Sequence, residues 1–131
     1  MIYLVDTHIL LWYLKGEKKL AEKIKEIIEN SDNKIFVSKV SLWEIAIKVS
    51  IGKLELHSDA RQPGFEALEN LLIKNEFELL EFNFDDLSEL IQLPFHHQDP
   101  FDRLLIAQAK NRNIAIISDD NKFRLYDVQL Y

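Results

Sequence analysis

Three short runs of the chain are rich in β-branched and aromatic residues without strict alternation, the pattern of strands covered on both faces: Ile2 to Val5, Lys34 to Ser38 and Ile114 to Ser118. A fourth run, Glu78 to Phe82, alternates in part, and Val128 to Leu130 reads as a short edge strand. Between these runs the apolar period lengthens to that of a helix. Leu20, Ile24, Ile27 and Ile28 form a stripe on a segment otherwise made of Glu and Lys, predicting a surface helix with one face on a core. Val40 to Val49 is nearly all apolar and is expected to be enclosed. Phe65, Leu68, Leu71 and Leu72 make a further stripe after Pro63-Gly64, and Leu87, Leu90 and Ile91 a short one stopped by Pro94. Phe101 to Arg112 opens with Asp99-Pro100, a capping residue followed by a proline in the first turn. The stretches Leu56 to Gly64 and Leu93 to Gln98 read as loops. Strands alternating with helices predict one α/β domain over residues 1–131: a central, mostly parallel sheet of four to five strands flanked by α-helices. Sites in such sheets form at the carboxyl ends of the strands, so the residues just after each strand are where chemistry is expected.

Composition narrows the function classes. A 47% hydrophobic chain with three Gly and three Pro is neither disordered nor collagenous. The absence of cysteine excludes disulfides, thiolate zinc sites and thiol nucleophiles, and is compatible with a reducing compartment. No apolar window reaches the roughly 18 residues of a membrane span, and the N-terminal Met1-Ile2-Tyr3-Leu4-Val5-Asp6 lacks a basic n-region, so a cytoplasmic location is expected. The net charge of −6 speaks against binding nucleic acid by bulk electrostatics.

Four carboxylates fall where a site is expected. Asp6 ends the first strand, Asp119 and Asp120 follow Ser118 at the end of the last long one, Glu44 sits on the most apolar helix, and Asp102 lies in the first turn of the helix feeding the Ile114 strand. Each has a structural alternative. Asp6 could cap a helix starting near His8, Asp119 or Asp120 could cap a turn through Phe123 and Leu125, and Asp102 could favour a helix N-terminus through its dipole. Glu44 and Asp102 resist that reading. Glu44 shares a polar stripe with Ser41 and Lys48 on an otherwise apolar helix, and such a stripe lines something wet, although Lys48 could also form an ordinary i, i+4 pair with it. Asp102 shares its face with Leu105, Ile106 and Ala109, so its carboxylate aims inward, which is expensive unless it is paired or bound to a metal.

The runs Asp6-Thr7, Ser38-Lys39-Val40-Ser41-Leu42-Trp43-Glu44, Asp99-Pro100-Phe101-Asp102-Arg103-Leu104-Leu105-Ile106-Ala107-Gln108-Ala109 and Ile117-Ser118-Asp119-Asp120-Asn121-Lys122-Phe123 resemble PIN-domain nucleases, and more narrowly the VapC-type toxins of bacterial type II toxin–antitoxin pairs. The resemblance spans nearly the whole chain and implies a PIN-like fold. It places the family's acidic quartet on Asp6, Glu44, Asp102 and Asp120, with Asp99 and Asp119 as alternates. Asp102 is preferred to Asp99 because its interval to Ser118 is the one the family uses and because Asp99, before Pro100, is a natural N-cap.

Carboxylates about 5 Å apart repel by roughly 3 kcal/mol per pair at an effective dielectric of about 20. A converging set therefore takes up protons or a divalent cation. All-oxygen ligands favour Mg²⁺, with Mn²⁺ as the alternative. The chemistry that follows is phosphodiester hydrolysis by metal-activated water, with Asp6 and Asp102 as direct ligands, Glu44 and Asp120 as ligands through water or to a second ion, and Thr7 and Ser118 as hydrogen-bond donors behind them. The resemblance further implies single-stranded RNA as substrate, cut to a 5′-phosphate and a 3′-hydroxyl, a VapB-type antitoxin that covers the cleft, and a homodimer built on apolar helices, with Ile9 to Leu14 or Val40 to Val49 as the candidate surface. Setting aside the four site carboxylates takes the net charge from −6 to −2. Lys39, Lys48, Lys53, Arg103, Lys122 and Arg124 lie near the motifs and could rim the site, with Lys39, Lys48, Arg103, His96 and His97 the candidates for RNA contact. His96-His97 lacks thiolates and a third spaced histidine, which argues against zinc, and Trp12 and Trp43 read as core or subunit contacts. The rival readings are a catalytically silent PIN-like RNA-binding module and a phosphoacceptor signalling domain. The second of these lacks the lysine needed at the end of the last strand.

Overall fold

The structure is a computed structural model and describes residues 1–55, 65–96 and 98–126. In chain order the elements are β1 (Ile2–Val5), α1 (Thr7–Lys15), α2 (Glu22–Glu29), β2 (Lys34–Ser38), α3 (Lys39–Ser50), α4 (Phe65–Lys74), β3 (Glu78–Leu80), α5 (Phe84–Gln92), α6 (Pro100–Arg112), β4 (Ala115–Ile117) and a 3₁₀ turn, Asn121–Leu125. The strands pair in parallel in the order β3-β2-β1-β4, with Val5 opposite Val37 on one side and Ile117 on the other. The candidate edge strand Val128 to Leu130 and the Leu56 to Gly64 loop lie outside the described residues. Among the described residues no helix is long and apolar enough to cross a membrane.

The uninterrupted apolar runs of the strands now have a cause. Tyr3, Val5, Ile35, Val37, Ala115 and Ile117 face one core with Ile9, Leu10, Ile28, Leu68 and Leu72. Leu4, Phe36 and Ile116 face the other with Val40, Leu105, Ile106 and Phe123. Both faces of the sheet are covered, so neither parity of residue can be polar. β3 is shorter than the run Glu78 to Phe82 because Asn83 ends the extended stretch. Its side chain accepts from the Asp86 N–H while the Asp86 carboxylate accepts from the Asn83 N–H, a reciprocal cap that starts α5.

α6 is the sheltered helix of the fold, with Arg103 through Ala109 all buried. It ends at Asn113, whose left-handed backbone (φ 54°) turns the chain into β4. α3 departs from the expectation of an enclosed helix. Val40, Ser41, Glu44 and Ile45 are buried, but Trp43 is 61% exposed. The helix leans on the end of the sheet and on α1 and α6 through one stripe, which leaves the side bearing Trp43 outside. Trp43 meets the half-buried Phe101 edge-to-face, at 5.2 Å, and its exposure makes it no core residue.

Candidate active site

The carboxyl end of β1 is tied to that of β4 by the Asp6 N–H, which donates to the Ile117 carbonyl at 3.0 Å. The Asp6 side chain then accepts from the Ile9 N–H at 2.7 Å and caps α1, as one reading of the sequence expected. That bond uses a single oxygen, so the capping role and a second role are compatible. The Thr7 hydroxyl donates to Ser41 Oγ at 2.8 Å, stitching α1 to α3, and one turn beyond Ser41 stands Glu44. Asp99 accepts from the Phe101 and Asp102 N–H groups and is the cap of α6, which fixes Asp102 in the first turn. At the end of β4, Ser118 Oγ accepts from the Asp120 N–H, and Asp120 Oδ1 accepts from the Lys122 N–H, capping the 3₁₀ turn.

These elements bring six carboxyl groups (Asp6, Glu44, Asp99, Asp102, Asp119 and Asp120) to one cleft of about 320 Å³, together with Thr7, His8, Leu11 and Lys48. The four expected acids and both alternates are therefore together. Their charges are felt. The Asp6 carboxyl is pushed up to about 6: burial raises it most, the Ser118 hydroxyl and Ile9 N–H oppose the rise, and the charges of Asp119 and Asp120 add to it. Asp102 is pushed up to about 7 by burial and then by the charges of Asp99, Glu44, Asp6 and Asp120. Glu44 is buried, with Oε2 accepting from Lys48 Nζ at 2.8 Å and Oε1 lacking any hydrogen-bond partner among the described residues.

The chemistry of this donor set, though not a closed geometry, fits a divalent ion. The acidic side chains of the wall offer oxygen ligands with no thiolate among them, which suits Mg²⁺ or Mn²⁺ and not a thiolate-seeking ion, and Glu44 Oε1 is a buried carboxylate oxygen with no hydrogen-bond partner among the described residues. The acids are less tightly gathered than the sequence suggested. Among the described residues no three acidic or imidazole groups stand close enough to enclose an ion. The carboxylates line a wall and do not form a closed cage.

Several candidates fall elsewhere. Arg103 is corrected as an RNA contact: it is buried, its guanidinium donates to the carbonyls of Pro94, Leu90 and Leu93 and it lies on the Phe95 ring, so it braces the α5–α6 connection. Thr7 stays on the cleft wall, where its hydroxyl donates to Ser41 Oγ. Lys39 pairs with Glu81 at 2.5 Å, and His96 meets Tyr126 edge-to-face at 4.8 Å; neither lines the cleft. His97 lies outside the described residues. His8 and Leu11 also stand on the cleft wall, unannounced by any motif in the sequence. His8 stands two residues past a strand-ending acid, a position that α1 turns toward the site, and it packs on Trp12 at 4.2 Å.

The raised carboxyls carry a stability prediction. Between the unfolded Asp value of about 3.9 and their folded values, Asp6 and Asp102 hold protons that the unfolded chain has released, so without divalent ions stability falls as pH rises from about 4 to about 7. Asp102→Asn is expected to flatten this slope and, at pH 8 in chelator, to raise the melting temperature by ~3–8 °C, the equivalent of ~1–2 kcal/mol after allowing for solvent screening. Thermal unfolding across pH checks it; a large fall would mean that Asp102 is needed to hold the first turn of α6.

The sequence profile of the PIN domain matches residues 3–129. Among solved structures, the chain is similar to VapBC2 from Rickettsia felis, solved bound to a DNA fragment from their promoter (18% identity, TM-score 0.74, covering 100% of this chain and 98% of that one). It is also similar to DNA-bound VapBC from Salmonella typhimurium (15%, 0.74, 100% and 97%) and to FitAcB from Neisseria gonorrhoeae (17%, 0.64, 100% and 96%). These similarities concern the fold. No curated protein matches the sequence.

Proposed function

The chain belongs to the PIN-domain family, whose members are generally nucleases, and from that premise we propose that it is a divalent-ion-dependent endoribonuclease, the toxin of a VapBC-like pair. The observation that carries this reading is the cleft at the strand ends. Six carboxyl groups line it, two of them pushed up to about 6 and about 7, and a third presents a buried oxygen with no partner among the described residues. Such a wall repels a phosphodiester unless a cation intervenes.

A bound Mg²⁺ or Mn²⁺ would supply polarisation of a phosphoryl oxygen and a water acidic enough to attack phosphorus. Asp6 and Asp102 would hold it, with Glu44 and Asp120 reaching it through water or holding a second ion. The residues behind them give the site its order. The Ile9 N–H and Ser118 hydroxyl fix the Asp6 carboxylate, the Asp99 cap fixes the turn that carries Asp102, and the Thr7–Ser41 bond holds α3, and so Glu44, against α1. Lys48 is a local positive charge at the cleft, which supports a phosphate contact there in spite of a net charge of −6. Single-stranded RNA cut to a 5′-phosphate and a 3′-hydroxyl is the proposed substrate and outcome. Solved structures of the same fold include a toxin–antitoxin complex from Klebsiella pneumoniae and a member of the VapBC family of toxin–antitoxin systems from Mycobacterium tuberculosis, which supports a small VapB-type antitoxin as partner. For the proposed homodimer, the exposed Trp43 side of α3 is the better surface, since Leu11 to Leu14 already pack on the core.

The test is cleavage of an unstructured RNA. Wild-type protein is expected to cut with Mg²⁺ or Mn²⁺, to stop in excess chelator and to recover when the ion is restored. Cutting that ignores the chelator would contradict the proposal.

A further inference from the structure

Lys48 and Glu44 make a lopsided pair. As an i, i+4 couple with the acid nearer the helix N-terminus they have the favourable orientation, and on an exposed helix that would be all. Here the Glu44 side chain is 6% exposed and the Lys48 side chain 45%. The carboxylate is held by packing, whereas the ammonium rides on a flexible stem that opens to the cleft. Only one Glu44 oxygen is engaged; the other is buried without a partner among the described residues. Among the described residues lining the cleft, Lys48 is the single Lys or Arg, and it shares that lining with Asp6, Asp99, Asp102, Asp119 and Asp120.

A buried carboxylate does not give up its counter-charge unless another replaces it. A divalent ion is such a replacement, and unlike an ammonium it can engage both carboxylate oxygens. We propose that Lys48 is an exchangeable counter-ion: it and a divalent ion compete for Glu44, and the displaced ammonium becomes the positioning contact for the RNA phosphate beside the cleft. This rests on the ion-dependent nuclease reading and extends it by giving the chain a residue that couples ion binding to substrate binding.

The exchange has a signature that a fixed salt bridge lacks. In titrations of Mn²⁺ without RNA, Lys48→Gln is expected to bind about tenfold more tightly than wild type, since a competing positive charge is gone. With a short fluorescein-labelled oligouridylate followed by anisotropy, the same variant is expected to bind roughly three- to tenfold more weakly in Ca²⁺, which takes the same oxygen ligands, yet to match wild type in chelator. Lys48→Arg is expected to restore the RNA arm. Lys48→Met, which keeps the aliphatic stem, carries the same comparison if the Gln variant fails to fold. Unchanged or weaker Mn²⁺ binding, or an RNA penalty equal with and without ion, overturns the exchange while leaving the nuclease reading intact. A wild-type protein that binds no Mn²⁺ overturns both.

Discussion

Replacing Asp6 by Asn is expected to leave the protein folded and to remove at least ~10³-fold of its RNA cleavage, the several kcal/mol of charge stabilisation that a held cation provides. The two effects separate because Asp6 has two jobs. Its capping bond to the Ile9 N–H, at 2.7 Å, needs a side-chain oxygen and no charge, and Asn caps as well as Asp. Its second job needs the charge. The residue is 4% exposed and its carboxyl is pushed up to about 6 by burial, with the Ser118 and Ile9 bonds opposing and Asp119 and Asp120 adding to the rise, so losing the charge is no cost to folding. Asp6→Ala removes both jobs and is expected to melt lower than Asp6→Asn by the ~1 kcal/mol of a lost cap. Full cleavage by Asp6→Asn would mean that the acid is a cap and nothing more.

The second large effect lies away from the cleft. Asp86, with a fully buried side chain, accepts from both terminal nitrogens of Arg112 and from Asn111 Nδ2 at 2.9 Å, as well as making the reciprocal cap with Asn83. One carboxylate thereby fastens α5 to the end of α6, the helix that carries Asp102. Asp86→Ala strands the Arg112 guanidinium and a helix start, and is expected to lower the unfolding free energy by ~3–5 kcal/mol, measured by urea denaturation. Although burial pushes the Asp86 carboxyl up, the Arg112, Asn111 and Asn83 bonds outweigh it and hold the group below the ordinary range. The stability it contributes is therefore present above an unfolded value of about 3.9 and lost as pH falls below that. Asp86 and the cleft acids thus slope in opposite directions, and in chelator the stability maximum is expected near pH 4–5.

The sheet was legible in the sequence because burial on both faces writes itself into consecutive residues, as in Ile2 to Val5 and Ile35 to Val37. That these acids line one cleft was legible for a related reason: Asp6 and Asp120 sit where parallel strands end, and Glu44 and Asp102 interrupt apolar stripes. The remainder depends on pairings between distant segments. Arg103 looks like any basic residue beside a motif until Leu90, Leu93 and Pro94 turn their carbonyls toward it. Asp86 and Arg112 carry no local sign that they meet. The wide apolar face of α3 promised enclosure, but an apolar composition records what a helix can bury and not how much the rest of the chain covers, and Trp43 is left outside. His8 carries no local sign either, because its place at the cleft comes from the turn of α1 back over the end of β1.

The central claim, that acids from separate segments share a wall made tolerable by a divalent cation, is tested most directly by melting wild type and Asp102→Asn at pH 8 with chelator and with Mn²⁺. Wild type is expected to gain several degrees from Mn²⁺, while Asp102→Asn starts higher and gains little. Equal melting temperatures for the two proteins in chelator, with no response of wild type to Mn²⁺, would contradict it.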